Sequence, residues 1–283
     1  MEEFTGTVGV FDSGIGGLTV LKECAALLPR SRFYYLGDND NAPYGSKPKE
    51  EIRRLVRAAL NRFSALRIDA AVLACNTATA VCADELRKEF SFPVVGMEPA
   101  VRPAAQNCKR ALVLCTPQTA ASERLHALAG RFPQCEFAVH GCPDLARAVE
   151  RCGGSYEKIN LNEHLPAGNF DGVVLGCTHY IFLKERICAH YGVPVYDGNA
   201  GTARRLSAVL AEKSGGATTL SGVYGFADHC EENANLCSEI CRKTGGNGVK
   251  TGVFFLGSAK NYNKIRYKQM FANKNEGNCH KNP

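Results

Sequence analysis

The chain has 283 residues, of which 45% are hydrophobic and 22% charged, and its formal net charge is +6. This length can bury a sizeable core, and the composition excludes disordered and collagen-like chains. No apolar run reaches the ~20 residues that span a bilayer, and the acidic start lacks the basic segment of a signal peptide. We therefore expect a cytoplasmic protein without membrane contact, whose fourteen cysteines are thiols rather than disulfides.

Short runs of Val, Leu and Ala alternate with amphipathic segments along most of the chain. Strands are predicted at 8–12, 33–38, 70–77, 93–97, 111–116, 136–142, 172–179, 194–198 and 252–257. Helices are predicted at 18–29, 50–66, 83–90, 122–132, 203–213 and 259–271. Apolar strands without alternation are typical of parallel sheets buried on both faces, so the pattern predicts an α/β fold with helices on both faces.

The first strand runs into a glycine-rich turn, FDSGIGGL at 11–18. Backbone N–H groups in such a turn, next to a helix N-terminus, suit a carboxylate or a phosphate. As a dinucleotide fingerprint the turn is defective, because Thr19 stands where a third glycine belongs. With Asp38 as a ribose contact, a dinucleotide-dependent oxidoreductase is the remote alternative.

Two cysteines share one context in the two halves of the chain. Cys75 in ACNTAT and Cys177 in GCTHYI each follow a Val/Leu strand and precede polar side chains. Ligands of open α/β sheets bind beyond the carboxyl ends of the strands, so two such ends predict a cleft between two domains. We place the change of domain near 97–105, where two prolines interrupt the pattern.

Paired thiols on opposite walls of a cleft suit the inversion of a stereocentre. One group takes a proton from one face and the other returns a proton to the opposite face. An unperturbed thiol has a pKa of about 8.5, so forming the thiolate at pH 7 costs ~2 kcal/mol. A helix N-terminus near Cys75 and an imidazole near Cys177 would lower that cost.

The last part of the chain is less regular. The segment 216–250 begins and ends near glycine-rich turns, and six Lys or Arg against one acid follow from Lys260 to the end. A basic tail can indicate nucleic acid, but no binding motif accompanies it and we expect none. A metal-binding module is a further alternative, with candidate ligands His229, Cys230, Cys237, Cys241, Cys279 and His280. Their spacing matches no common zinc pattern, so we predict no metal site.

Five motifs in order, DSGIGGLTVL, PYG, ACNTAT, GMEPA and LGCTHY, resemble those of the glutamate racemases, the cofactor-independent branch of the aspartate/glutamate racemase superfamily. The resemblance covers about 7–213. It implies two flavodoxin-like α/β domains facing each other across a central active-site cleft: 1–98 plus 208–283, with an insertion at 216–250 and the basic tail, and 99–207. It also implies D-glutamate production for peptidoglycan, no cofactor, and a homodimer.

The family's functional residues carry over by motif. Cys75 resembles the base that deprotonates D-glutamate and Cys177 the base that deprotonates L-glutamate, and these two also touch the substrate. The assisting groups are Asp12, Glu150 and His179. The resemblance implies further substrate contacts at Asp12, Ser13, Pro43, Tyr44, Gly45, Asn76, Thr77, Thr116, Thr119, Thr178 and His179.

The sequence departs from the family pattern beside the site. Cys115 stands where the family has glycine before Thr116, and Ile181 stands where it has proline. Both changes flank the predicted site. Aspartate racemase is the nearest alternative, because one methylene in a substrate discriminates by only ~1–3 kcal/mol.

Overall fold

The computed structural model describes residues 6–214 and the strand 253–255. The strands in this part are β1 Thr7–Asp12, β2 Arg32–Gly37, β3 Ala70–Leu73, β4 Val94–Gly96, β5 Arg110–Cys115, β6 Glu136–Gly141, β7 Gly172–Gly176, β8 Val195–Tyr196 and β9 Val253–Phe255. The helices are α1 Gly17–Leu27, α2 Lys49–Ala65, α3 Asn76–Glu89, α4 Val101–Asn107, α5 Pro117–Ala120, α6 Glu123–Gly130, α7 Leu145–Arg151, α8 Lys184–Tyr191 and α9 Asn199–Ser214.

These strands form two sheets, and every strand pair is parallel. The first sheet has the order β4-β3-β1-β2-β9 and the second the order β6-β5-β7-β8. All nine predicted strands are confirmed, as is the predicted class of two parallel-sheet α/β units. The predicted helix 259–271, the segment 216–250 and the basic tail lie outside the described residues.

Helices cover both faces of the first sheet. One face packs on α1 and α9, where Leu18 and Leu206 meet Val10 in a buried cluster. The other face packs on α2 and α3, where Leu60 and Leu86 are buried. Strands covered on both faces read as continuous apolar runs, which explains why the sequence pattern located them.

The second sheet is built in the same way. Its one face packs on α7, α8 and the 3₁₀ helix Thr178–Leu183, and its other face on α4 and α6. In each sheet the parallel register places the carboxyl ends of neighbouring strands side by side. Phe11 pairs with Leu73 in the first sheet, and Cys115 pairs with Gly176 in the second. The polar residues that follow these strands therefore emerge side by side.

The chain crosses between the sheets twice. It leaves the first sheet after β4, and α4 already packs on the second sheet. The return crossing lies before α9, because Ala203, Leu206 and Leu210 all belong to the first core. The predicted boundary at 207–208 therefore falls inside a helix that packs as a whole on the first sheet.

The described residues also show the state of the thiols. All ten cysteines among them are free, and eight of these are buried. Within 6–214 and 253–255, no helix is both long and apolar enough to cross a membrane.

Candidate active site

Both strand-end cysteines lie at the edge where the two sheets face each other. Cys75 follows β3 and caps the N-terminus of α3. Cys177 follows β7 and precedes the 3₁₀ helix Thr178–Leu183. Both side chains are buried. They are close enough that charge on Cys177 contributes to raising the pKa of the Cys75 thiol, so the two thiols share one site.

Cys75 is held by its own helix and by the glycine-rich turn. Its Sγ donates to Ser13 Oγ at 3.5 Å and accepts from Ala78 N–H at 3.4 Å. Burial, and next the negative charge of Asp12, raise the pKa of Cys75 to about 11, against the lowering effect of those two hydrogen bonds. These surroundings therefore favour a neutral thiol at this position.

Asp12 ends β1 and is fully buried beside Cys75. Its Oδ2 accepts from Gly14 N–H at 3.1 Å, and its Oδ1 accepts from Thr178 Oγ1 at 3.2 Å. Burial raises the pKa of Asp12 to about 6, although the charge of His179 and the backbone N–H groups oppose the rise. The carboxyl therefore titrates close to neutral pH.

Cys177 has a different neighbour, an imidazole. Its Sγ lies 3.7 Å from His179 Nδ1, and His179 Nε2 lies 2.6 Å from Glu150 Oε1. Burial alone would lower the pKa of His179, but the hydrogen bonds to Cys177 and Glu150 raise it well above its usual value. The positively charged form of the ring is therefore favoured, and it lies directly beside the Cys177 sulfur.

Two hydrogen bonds connect these walls across the cleft. Ile15 N–H, in the first domain, donates to Glu150 Oε1 at 3.0 Å. Thr178, in the second domain, donates to Asp12. The carboxyl groups of Glu150 and Asp12 are therefore each held in part by the opposite domain. These two hydrogen bonds exist only when the domains are in contact.

Three hydroxyls form a second link between the domains. Thr77 Oγ1 lies 2.9 Å from Thr116 Oγ1 and 3.4 Å from Thr119 Oγ1, and Thr116 donates to Thr119 at 3.1 Å. A Cβ on Gly45 would lie 2.6 Å from Thr116 Cβ. The glycine lets the PYG turn approach this cluster, which offers donors and acceptors suited to a carboxylate.

The rest of the predicted set lies around the same edge. Tyr44 is buried, donates to Asp38 Oδ2 at 2.6 Å, and has a raised pKa through burial, through Asp38 and partly through the charge of Cys75. Pro43 is half-buried. The amide Nδ2 of Asn76 is buried and has no partner among the described residues, so it is a donor open to a ligand.

The residues that depart from the family pattern are accommodated outside the site. Cys115 belongs to the buried core on the α4 and α6 face of the second sheet, and its Sγ donates to His140 O at 3.8 Å. Ile181 is half-buried in the core on the opposite face. Their neighbours Thr116 and His179 make the site contacts described above, so both departures are compatible with those contacts.

The dinucleotide alternative does not fit this geometry. A pyrophosphate needs space beside Gly14 and Gly16, but a Cβ on Gly14 would lie 2.0 Å from Glu150 Oε1. A Cβ on Gly16 would lie 2.4 Å from Thr178 Oγ1. Asp38, the candidate ribose contact, instead accepts from Tyr44. Side chains of the second domain thus occupy the place a cofactor needs.

The metal-module alternative concerns residues outside those described, and it stays an untested alternative. Within the described residues, no group of three or more His, Cys, Asp or Glu side chains is arranged to hold a metal ion.

Sequence reasoning missed two buried tyrosines that hold the site from behind. Tyr35 OH donates to Gly14 O at 2.6 Å. Tyr180 OH lies 3.3 Å from both Cys115 O and Cys142 O at the ends of two strands. Tyr180 belongs to the LGCTHY motif, which could have indicated it, whereas Tyr35 carries no local signal because it reads as one more apolar strand residue.

Comparison with known proteins gives the same family along most of the chain. The family model described as Asp/Glu/hydantoin racemase matches residues 16–206. The glutamate racemase of Leptospira interrogans is 41% identical over 208 residues, which cover 70% of this chain and 80% of that protein.

Solved structures agree with the fold. The crystal structure of Escherichia coli glutamate racemase, in complex with L-glutamate and the activator UDP-MurNAc-ala, is 30% identical with a TM-score of 0.70 and covers 90% of this chain and 100% of that one. The Francisella tularensis glutamate racemase in complex with D-glutamate is 26% identical with a TM-score of 0.65, covering 76% of this chain and 84% of that one.

Proposed function

The chain belongs to the Asp/Glu/hydantoin racemase family, and from that premise we propose that it interconverts L-glutamate and D-glutamate with two cysteines and no cofactor. The observation that carries the proposal is the pair of buried strand-end thiols, Cys75 and Cys177, that face one cleft and have different neighbours. We further propose that the D-glutamate serves peptidoglycan synthesis, the role implied by the family resemblance.

The reaction from L-glutamate starts at Cys177. The imidazolium of His179 stabilises the Cys177 thiolate, which takes the α-proton and leaves a carbanion. The neutral Cys75 thiol then donates its proton to the opposite face, which yields D-glutamate and a Cys75 thiolate. The raised pKa of Cys75 fits the donor role in this direction, and the two thiols exchange roles in the reverse direction.

Ionisation of the Cys75 thiol has a high free-energy cost without substrate. With a pKa of about 11, forming it at pH 7 costs about 5 kcal/mol, since each unit is worth about 1.4 kcal/mol. The substrate ammonium offsets this cost, because an opposite charge favours the ionised thiol. We assign Asp12 to contact the same ammonium group, an assignment that its burial beside Cys75 supports.

Substrate carboxylates have donors in reach on both domains. We assign the hydroxyls of Thr77, Thr116 and Thr119, the Asn76 amide and Ser13 to this binding. Pro43, Tyr44, Gly45 and Thr178 shape the same edge of the cleft. The unpartnered Asn76 Nδ2 supports the assignment, because buried donors are satisfied in complete sites.

The proposal includes a cytoplasmic location and a homodimer. Ten free thiols in the described residues suit a reducing compartment. The homodimer rests on the family resemblance, and light scattering during gel filtration tests it: a dimer mass supports the assignment and a monomer mass contradicts it.

Circular dichroism of purified protein with L-glutamate, and separately with L-aspartate, tests the substrate. We expect the optical signal of L-glutamate to decay to zero without added cofactor and that of L-aspartate to persist. Faster decay with L-aspartate would favour the aspartate alternative, and decay with neither would overturn the proposed activity.

A further inference from the structure

Tyr35 lies behind the glycine-rich turn, and its hydroxyl contacts the backbone of that turn. It is the fourth residue of β2 and is 1% exposed. Its hydroxyl donates to the carbonyl of Gly14 at 2.6 Å. A tyrosine hydroxyl buried this deeply needs a partner, and here the partner is the backbone of the loop between Asp12 and α1.

Glycines shape the space around this hydroxyl. A Cβ on Gly17 would lie 3.0 Å from Tyr35 Oη and 2.4 Å from Asp12 Cβ. A Cβ on Gly37 would lie 2.9 Å from Gly14 O and 3.1 Å from Tyr35 Cε1. A side chain at either glycine would collide with atoms around this hydrogen bond. Glycine at both positions therefore leaves the space in which the Tyr35 hydroxyl and the Gly14 carbonyl meet.

The peptide group that Tyr35 holds has a second contact on its opposite side. The carbonyl of Gly14 and the N–H of Ile15 belong to one planar unit, so fixing the oxygen also fixes the direction of the N–H. That N–H donates to Glu150 Oε1 at 3.0 Å. The same Oε1 lies 2.6 Å from His179 Nε2.

We propose that Tyr35 is a positioning residue for Cys177, the thiol of the opposite domain. Hydrogen bonds run from the Tyr35 hydroxyl through the 14–15 peptide to Glu150, from Glu150 to His179, and from His179 Nδ1 to Cys177 Sγ at 3.7 Å. Hydrogen bonds in such a chain strengthen one another in a buried setting. The proposal rests on the proposed racemase function.

Tyr35→Phe removes one hydroxyl and keeps the ring. We expect kcat for both enantiomers to fall about 5- to 10-fold, as the loss of one buried hydrogen bond predicts, with KM changed by less than about twofold. The alkaline limb of the pH–rate profile should move to lower pH, because a less ordered Glu150 holds the proton on His179 less well. Rates are expressed per folded molecule, with the folded fraction taken from circular dichroism.

Tyr34→Phe is the matched control on the same strand. Tyr34 contacts the core on the other face of the sheet, so its loss should leave kcat and the pH profile unchanged. Gly37→Ala is a second route to the same carbonyl, since its Cβ presses on Gly14 O, and it should shift the alkaline limb in the same direction. Gly37→Ala replaces Tyr35→Phe as the test variant if Tyr35→Phe does not fold.

A double-mutant cycle with Glu150→Gln separates a positioning role from a general structural one. If Tyr35 acts through Glu150, its replacement should cost less than about twofold in the Glu150→Gln background. An equal cost in both backgrounds, or an unshifted alkaline limb in Tyr35→Phe, would overturn the proposal.

A readout without substrate separates this proposal from the proposed function. The pH dependence of iodoacetamide labelling at Cys177, followed by mass spectrometry, should shift in Tyr35→Phe and not in Tyr34→Phe. An unshifted labelling profile overturns the role of Tyr35 even if the enzyme racemises glutamate. If Tyr35→Phe shows the labelling shift but the wild-type protein does not turn over glutamate, the proposed function alone is contradicted.

Discussion

The two walls of the cleft begin from the same local design and differ in electrostatics. Each wall places a cysteine after a buried parallel strand, followed by a threonine. Beside Cys75 lie a hydroxyl, a helix N-terminus and the carboxyl of Asp12. Burial raises the pKa of the Cys75 thiol to about 11. Beside Cys177 lies an imidazole backed by Glu150. One thiol therefore lies beside a carboxyl and the other beside an imidazole whose charged form is favoured, so the two walls differ in electrostatics although their thiols are placed alike.

The comparison also shows where the difference originates. The duplicated motifs supply the thiols, whereas the assisting carboxyls come from the end of β1 and from α7, and each is hydrogen-bonded across the domain boundary. The different surroundings of the two thiols therefore depend on the contact between the two domains. Each prediction below removes one of the groups that form these surroundings.

Removal of either thiol should have the largest effect. Cys75→Ala and Cys177→Ala should each lower racemisation of both enantiomers by roughly 10³-fold or more, because each direction needs one base and one acid. Enantiomer-specific chromatography measures the product. Cys188→Ala, a half-buried thiol of α8, is the control and should retain activity. Full two-way turnover by either site variant would rule out the two-base mechanism.

Asp12→Asn tests the Cys75 wall. The carboxyl of Asp12 has a pKa of about 6 because it is buried, so it loses its charge as pH falls through 6 and the wild-type rate should fall there. The variant should be about 100-fold slower at pH 8 and should lack this acid limb. An acid limb that stays near pH 6 in the variant would assign it to another group.

Glu150→Gln tests the Cys177 wall. Glu150 is one of the groups that raise the pKa of His179, so its neutralisation lowers that pKa and moves the alkaline limb to lower pH. We expect kcat to fall about 10- to 100-fold, as for loss of a charged hydrogen bond. The exposed Glu157→Gln is the charge-matched control. An alkaline limb unchanged in Glu150→Gln contradicts the assignment.

Thr178→Val should have the smallest effect. It removes the hydroxyl that donates to the Asp12 carboxylate, and at the weak end of charged hydrogen bonds this contact is worth about 1.5 kcal/mol, or roughly tenfold in rate. Thr178→Ser keeps the hydroxyl and should restore most of the activity. If the serine variant is as slow as the valine variant, the methyl contact rather than the hydrogen bond matters.

The sequence predicts the strands better than the helices, for a physical reason. A strand buried on both faces is a continuous apolar run, as in β1, β3 and β7, and all nine predicted strands are present. The sequence predicts none of the short helices α4, α5, α7 and α8, since few residues give little periodicity, whereas α6, with eight residues, is predicted. The first turns of α3, NTATAVC, were missed because small polar residues hide the helical pattern.

The residues of the candidate site also differ in how far the sequence predicts them. The two thiols could be found from their position after strands, and the motif resemblance located their neighbours. The pairing of Ile15 with Glu150 spans 135 residues and that of Thr178 with Asp12 spans 166. Such contacts depend on how the domains face each other, which no local spacing encodes. Tyr35 is the clearest case, because its role lies in the direction of one hydroxyl.

Racemisation in D₂O, stopped at a few per cent conversion, tests the two-thiol account most directly. The proton removed stays on one thiol, while the proton added comes from the other thiol, which has exchanged with solvent. The account predicts deuterium at Cα of the newly formed enantiomer and none in the recovered substrate, from L-glutamate and from D-glutamate alike. Equal labelling of substrate and product would show that one group serves both faces and would contradict it.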